Sequence, residues 1–425
     1  MSRTVFSRPL ILAVAPALML GSTAWSAEPT AVLDTYADIA EAGYGDSLTT
    51  ARALRTAVGA LVDTPSEATL TAAREAWLAA RVPYQQTEAF RFGNPIVDDW
   101  EGKVNAWPLD EGLIDYVDPA YGGATDENDY AVLNVIATPE FDLSGETVDA
   151  STITPELISD RLHEAASVEA NVASGYHAIE FLLWGQDLNG TGPGAGNRPF
   201  TDYASGAACT GGNCDRRGQY LIAATDLLVS DLDWMAGQWA EGGAARSAVT
   251  ADPKAGLASI LTGMGSLSYG ELAGERMRLG LMLNDPEEEH DCFSDNTVNS
   301  HYYDGLGIRN VYLGQYRRVD GSTVSGPSLS ELVAAADPAV DTQLKSELDA
   351  SVAALDALRE AAKDGLAYDQ MLDRGNAEGE ALIMAAVDGL VTQTRSIERA
   401  VTALDLAGVT LEGSDSLDNP GAVFQ

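Results

Sequence analysis

Eight stretches of this chain, 48–62, 66–92, 154–184, 215–240, 254–283, 328–335, 342–362 and 377–406, are dominated by alanine, leucine, glutamate and arginine with apolar residues at helical spacing. The alternation that marks strands is scarce. Such a chain buries its apolar stripes by packing helix on helix, so an all-α fold is predicted. Beyond a leader, about 400 residues remain, more than one core usually serves, and two fused helical bundles in a duplicated architecture with long loops are expected. Residues 185–212, rich in glycine, proline and asparagine, interrupt the periodicity and mark the join. The divisions read from this are a leader over 1–26, a first bundle over 27–210 and a second over 211–425. Pro83 should kink or break the helix of 66–92.

The leader follows from Arg3 and Arg8, an apolar stretch over 10–20 and small residues over 22–27, the three-part pattern of a secretory signal peptide cleaved near Ser26 or Ala27. No later stretch approaches the roughly 18 apolar residues of a membrane span. Export to a bacterial periplasm is expected, with association at the outer envelope open. Acidic residues outnumber basic ones 64 to 25, a net charge of −39. Phosphate backbones would be repelled, so nucleic acid is excluded as a partner. In an oxidising compartment Cys209 and Cys214, four residues of loop between them, should be bridged, which leaves Cys292 alone.

Within 154–184, Thr154 can cap a helix, Pro155 suits its first position, and Ile158, Leu162, Ala165, Val172, Tyr176, Ile179 and Leu183 form a core stripe, so one helix to Trp184 is predicted. Beside that stripe lie His177, Glu180 and Trp184. His177 and Glu180 share a helix face as i and i+3, and a buried carboxylate needs a cation, a hydrogen bond or a metal. Gly175 weakens the helix and points to close approach by another chain segment. The plain alternative is a core histidine bonded to its neighbour. An echo, Gly270-Glu271-Leu272-Ala273-Gly274-Glu275, matches Gly175-Tyr176-His177-Ala178-Ile179-Glu180 at glycine, alanine and glutamate, with leucine in place of histidine.

Three further clusters could complete a site. Over 76–92, Glu88 either pairs with Arg91 or faces a ligand on another helix. Over 107–116, Asp110 and Glu111 could add the oxygen donors that hard cations such as ferric iron favour, or Asp110 could cap a helix. Over 287–301, Glu287 and His290 have the spacing of di-iron bundles, but that site needs the motif twice, so 294–296 reads as a cap or turn. Four histidines in all argue against an imidazole-rich site. The zinc-protease His-Glu-x-x-His, the serine-hydrolase elbow, the Walker loop and the heme-attaching Cys-x-x-Cys-His are absent.

With Gly175-x-His177-x-x-Glu180 in place, the chain resembles the imelysin family (peptidase M75-like), near its bacterial iron-regulated members; 77–92, 107–116, 209–221 and 293–312 are similar to that subgroup. The resemblance implies two fused helical bundles, export to the periplasm or outer envelope, and a link to iron uptake or homeostasis. It also implies an older metallopeptidase label. The first reading is therefore an exported metal-binding protein. Iron, or another divalent or trivalent cation such as zinc, would sit on His177 and Glu180, completed by Glu88 and by Asp110 or Glu111. The pocket would include Arg91, Trp107, Trp184, Gly175, Glu275 and Arg276, and envelope iron-transport components would be partners. The alternative is a metal-dependent peptidase using the same pair. A catalytic zinc usually takes three protein ligands, a water and a base, so no catalytic residue is assigned. A third reading puts an organic or heme-like ligand against Trp107, Tyr116 and Trp184.

Overall fold

In a computed structural model, residues 27–125 and 128–424 are described; the leader expected over 1–26 lies outside the described residues. The first helix, Pro29–Asp63, buries Val32, Tyr36, Ile39, Gly43, Ser47, Ala51, Leu54, Val58 and Leu61, a three-to-four residue spacing that makes one continuous stripe. On it pack the Glu67–Gln85 and Cys214–Trp239 helices, and the short Gly175–Trp184 helix lies against both of these. A second set comprises Thr297–Leu313, Pro338–Lys363 and Ala377–Ala403, with the π-helical Leu267–Leu279 against the last. The two sets share one continuous apolar core, because Thr297–Leu313 packs on Glu67–Gln85 and Pro253–Ser266 packs on Pro29–Asp63. The fold is all-α. Its strands, among the described residues, are two antiparallel ribbons, Glu140–Leu143 with Glu146–Asp149 and Gln315–Arg317 with Thr323–Ser325.

Several local expectations change. The Cys214–Trp239 helix packs with the first set, so the change of packing partner falls after it and not at residue 211. The helix expected over 154–184 is broken. Thr154 does cap it, accepting from Leu157 N at 3.2 Å, but only Pro155–Leu157 and a π turn Ile158–Leu162 follow. Glu164, Ala166 and Ser167 then turn at positive φ and the chain runs on without helix to Ser174. The buried Asn171 explains the break, since its amide donates to Ala165 O at 2.8 Å and its carbonyl accepts from Asn128 at 2.7 Å. Pro83 does not stop the helix at once: it continues two residues further to Gln85, and a 3₁₀ turn Glu88–Phe90 follows. Cys209 and Cys214 are joined by a disulfide, and Cys292 is free and buried. No helix among the described residues is long and apolar enough to cross a membrane.

Candidate metal centre

Gly175 opens its helix at φ +81°, and a Cβ there would lie 2.4 Å from Val104 O, so only glycine lets the helix start against the end of Pro95–Asn105. All ten residues of Gly175–Trp184 are buried, as befits a helix apolar on every side. Its two polar groups meet: His177 Nδ1 is 3.2 Å from Glu180 Oε2. Burial, and then the nearby Arg81 guanidinium, push the His177 pKa down to about 3. The ring is therefore neutral and keeps one nitrogen lone pair, the state in which imidazole binds a cation.

The segment leading into the Thr297–Leu313 helix brings His290 and Asp291 to the same place. The two imidazole rings lie 4.7 Å apart, and Asp291 Oδ1 is 3.8 Å from His177 Nδ1. His177, His290 and Asp291 each offer a donor atom, and these three atoms lie within 4.8 Å of one another. His177 Nε2 and His290 Nδ1 are buried without a hydrogen-bond partner, which is costly unless something else takes the lone pair.

Asp291 is held from several sides. Arg81 donates to it through Nη2 at 2.7 Å and Nε at 3.4 Å, Asn296 donates at 2.7 Å, and the Ser300 hydroxyl is a further donor. Burial is the largest influence and would raise its pKa, but Arg81, His177 and the hydrogen bonds from Ser300 and Asn296 together outweigh it and hold the carboxyl below its ordinary range. Glu180 is pushed the other way, first by burial and then by Asp291, although Ser294 donates to its Oε1 through N at 3.0 Å and Oγ at 2.6 Å. Two carboxylates with opposed proton affinities thus flank one imidazole. Trp107 closes one side, its ring 5.1 Å from His177 and 5.7 Å from Phe293.

From His290 and Trp107 a cavity of about 430 Å³ opens outward past Asn105. Glu101, Glu164, Glu169, Glu271, Glu275 and Glu288 line it against two cations, Arg91 and Arg276. Burial lifts Glu101 to about 7 even though Arg91 lies 3.4 Å away. Such an acidic, low-dielectric mouth concentrates cations and repels anions.

The family model for Imelysin, Peptidase M75, matches residues 40–397. The chain belongs to the imelysin family. It is 24% identical over 352 residues to iron-regulated protein A of Synechococcus elongatus, an alignment covering 80% of this chain and 76% of that one. Its fold also matches the crystal structure of a protein from Parabacteroides distasonis, provisionally titled an iron-regulated protein A precursor. That match has a TM-score of 0.63 and 20% identity and covers 88% of this chain and 95% of the other.

In this imelysin the residues marked from the sequence fall in different places. Arg91, Trp107, Glu275 and Arg276 line the acidic cavity. Glu88 instead accepts from Arg276 Nη2 at 2.8 Å, and Arg276 also reaches Glu271 at 2.8 Å and Asp304 at 3.1 Å, so Glu88 belongs to a buried ion network. Asp110 takes up Tyr121 at 3.0 Å and Asn128, and Glu111 lies near the Gln186 amide at 3.5 Å; no contact joins either to His177 among the described residues. Trp184 packs on Trp77 and Arg74. Tyr116 is 41% exposed and hydrogen-bonded to Asp202; it lines a cavity of about 400 Å³ together with Trp184, whereas Trp107 lines the acidic cavity, so the three rings do not share one pocket. The echo at Gly270 also fails to repeat the geometry, since it lies inside the π helix and leaves Glu275 exposed.

Sequence reasoning weighs His290 only as a di-iron partner of Glu287 and assigns neither it nor Asp291 to the centre. Two of only four histidines converge, contrary to the expectation drawn from their scarcity. The signal was present as an adjacent His-Asp pair directly after Glu287-Glu288-Glu289, but without helical periodicity it reads as a turn.

Proposed function

We propose that this imelysin is an exported metal-binding protein serving iron uptake or iron homeostasis, with a cation held between His177, His290 and Asp291. The observation that carries the reading is the pair of buried imidazole nitrogens without partners beside a carboxylate fixed by Arg81. Donors of this mixed imidazole and carboxylate type suit iron and zinc alike; the names of the relatives favour iron. Glu180 would act as a positioning residue, holding His177 Nδ1 so that the ring keeps its orientation. The acidic cavity favours a free or weakly ligated cation over an anionic chelate, and handing that cation on to envelope transport components would follow export.

A metal-dependent peptidase is the second reading, because two imidazoles and one carboxylate also make up catalytic zinc sites. Against it, His177, Glu180 and Asp291 are fully buried, so a peptide bond has no approach to them.

Equilibrium dialysis of the full exported chain with ferrous iron, ferric iron and zinc tests both. One equivalent should be retained, with affinity reduced at least about tenfold in His177→Ala and in His290→Ala, and by about 10–100-fold in Glu180→Gln. Retention unchanged in both histidine variants would overturn the assignment. Chelator-sensitive peptide cleavage lost in both would favour the peptidase.

A further inference from the structure

A second set of carboxylates lies on the other side of the 286–295 segment. Glu111, Asp187, Glu287 and Glu289 line a small void of about 10 Å³, together with Gly190 and Cys292; Glu111 and Glu289 are buried, Asp187 is half-buried, and Glu287 and Gly190 reach the surface. That is room for a single ion or water. Three separate stretches of chain supply these four acids: the Glu111–Ile114 helix, the loop after Trp184, and the turn that starts with the 3₁₀ helix Pro286–Glu288.

Two observations separate this cluster from an ordinary acidic surface. Glu289 is 1% exposed, and its Oε2 has no hydrogen-bond partner. Among the described residues, none of the four forms an ion pair with lysine or arginine, unlike Glu88, Asp115 or Asp291 elsewhere in the molecule. Asp369, 2% exposed with neither oxygen hydrogen-bonded, adds a further uncompensated carboxylate whose charge bears on Glu289. A buried carboxylate without a counter-charge either keeps a proton, the direction in which burial pushes Glu289, or takes a cation.

We infer that Glu111, Asp187, Glu287 and Glu289 form a second cation site, selective for a hard divalent ion of the calcium type. Four carboxylates stand against one thiol, which disfavours zinc and softer ions. Calcium takes six to eight oxygens in flexible geometry, a number that four carboxylates reach with bidentate contacts and backbone carbonyls; magnesium would need to keep waters for which the void has no space. The site is distinct from the histidine centre and does not depend on the reading proposed for it. Glu289 has an extended backbone (φ −71°, ψ 131°), so its side chain and that of His290 leave the chain on opposite sides. Ligand spacing is already met, among the described residues, only by His177, His290 and Asp291, so these carboxylates close on the ion by rotamer adjustment.

Calcium titration of the full exported chain by calorimetry, with magnesium as comparison and thermal melts alongside, provides the test. The wild type should bind one calcium in preference to magnesium. Glu289→Gln and Asp187→Asn should each weaken calcium binding by about tenfold or more, while His177→Ala leaves it unchanged. In chelator the Glu289→Gln protein should melt at or above the wild type, since one unpaired charge is gone. In calcium the order should reverse. No calcium bound at millimolar concentration, or wild-type affinity in both carboxamide variants, would overturn the site and leave protons as what neutralises it. Loss of calcium binding in His177→Ala would overturn its independence. Zinc and iron retention measured in the same variants reports on the histidine centre separately.

Discussion

His301 shows how much a single buried group decides. It lies fully buried in the Thr297–Leu313 helix, its ring 5.1 Å from Tyr368, and neither ring nitrogen finds a partner. Burial, assisted by Arg276, pushes its pKa down to about 3, against about 6.5 for an exposed histidine. The folded protein therefore excludes a proton that the unfolded chain binds below pH 6.5. Its contribution to stability is complete above about pH 6.5 and is lost as pH falls towards 3, at up to about 1.4 kcal/mol per pH unit. His301→Leu removes the titration and keeps an apolar side chain in the space. Denaturant unfolding at pH 7.5 and 5.5 should show the variant gaining on the wild type by about 1–1.5 kcal/mol at the lower pH. A difference that does not move with pH would mean that the ring is not held neutral by burial.

At the scale of elements, the π-helical Leu267–Leu279 is the least ordinary part of the fold. In an α-helix, residues five apart point about 140° away from each other, yet here Arg276 Nε donates to Glu271 Oε1 at 2.9 Å, because the wider π turn brings i and i+5 together. That turn carries Arg276 to Glu88 and Asp304 and places Glu271 and Glu275 on the acidic cavity. The same segment seats the C-terminal tail. A Cβ on Gly270 would come 2.7 Å from Glu412 O, one on Gly274 would come 2.3 Å from Ser414 Cβ, and Ser416 Oγ donates to Gly274 O at 2.9 Å. Gly270→Val should lift the tail. Limited proteolysis should then cut beyond residue 404 several times faster than in the wild type while the body stays intact; equal resistance in both would show that the seat relaxes around the side chain. The long helices were legible in the sequence because their apolar spacing is a local property, and His177 and Glu180 stood out because they fall at i and i+3 within one apolar run that Gly175 opens. The remainder of the centre was not. His290 and Asp291 reach it through a non-periodic segment more than a hundred residues on, and the i, i+5 pairing of Glu271 with Arg276 exists only once the helix is known to be π. Glu88, Asp110 and Glu111 were marked by their acidity, which signals burial or pairing but not which partner they meet.

Over the whole molecule, charge sets the balance between two kinds of electrostatics. Acidic residues exceed basic ones by 64 to 25, so the net surface field is repulsive and opposes the compact state. Buried networks work against that repulsion: Asp115 accepts from Arg198 at 2.7 Å and from Arg217 at 2.6 Å, all three about 1% exposed, and pins the 185–212 loop to the first set of helices. Burial opposes ionisation of Asp115, but Arg198 and then Arg217 hold its carboxyl below the usual range. Salt acts unequally on the two kinds. The Debye length shortens from about 30 Å at 0.01 M to about 8 Å at 0.15 M, which screens exposed charges and hardly reaches buried pairs. Exposed pairs such as Arg52 with Asp233, about 60% exposed on both sides, would also be weakened, yet each is worth only about 0–1 kcal/mol. With so large an acidic excess, relief of repulsion wins. The melting temperature should rise by several degrees between about 0.01 and 0.3 M sodium chloride, equally in potassium chloride. A fall with salt would show that surface ion pairs, not the excess of carboxylates, dominate the fold. Calcium added at constant ionic strength should behave differently, with a saturable rise that Glu289→Gln reduces, because it neutralises one acidic cluster and leaves the general field almost untouched.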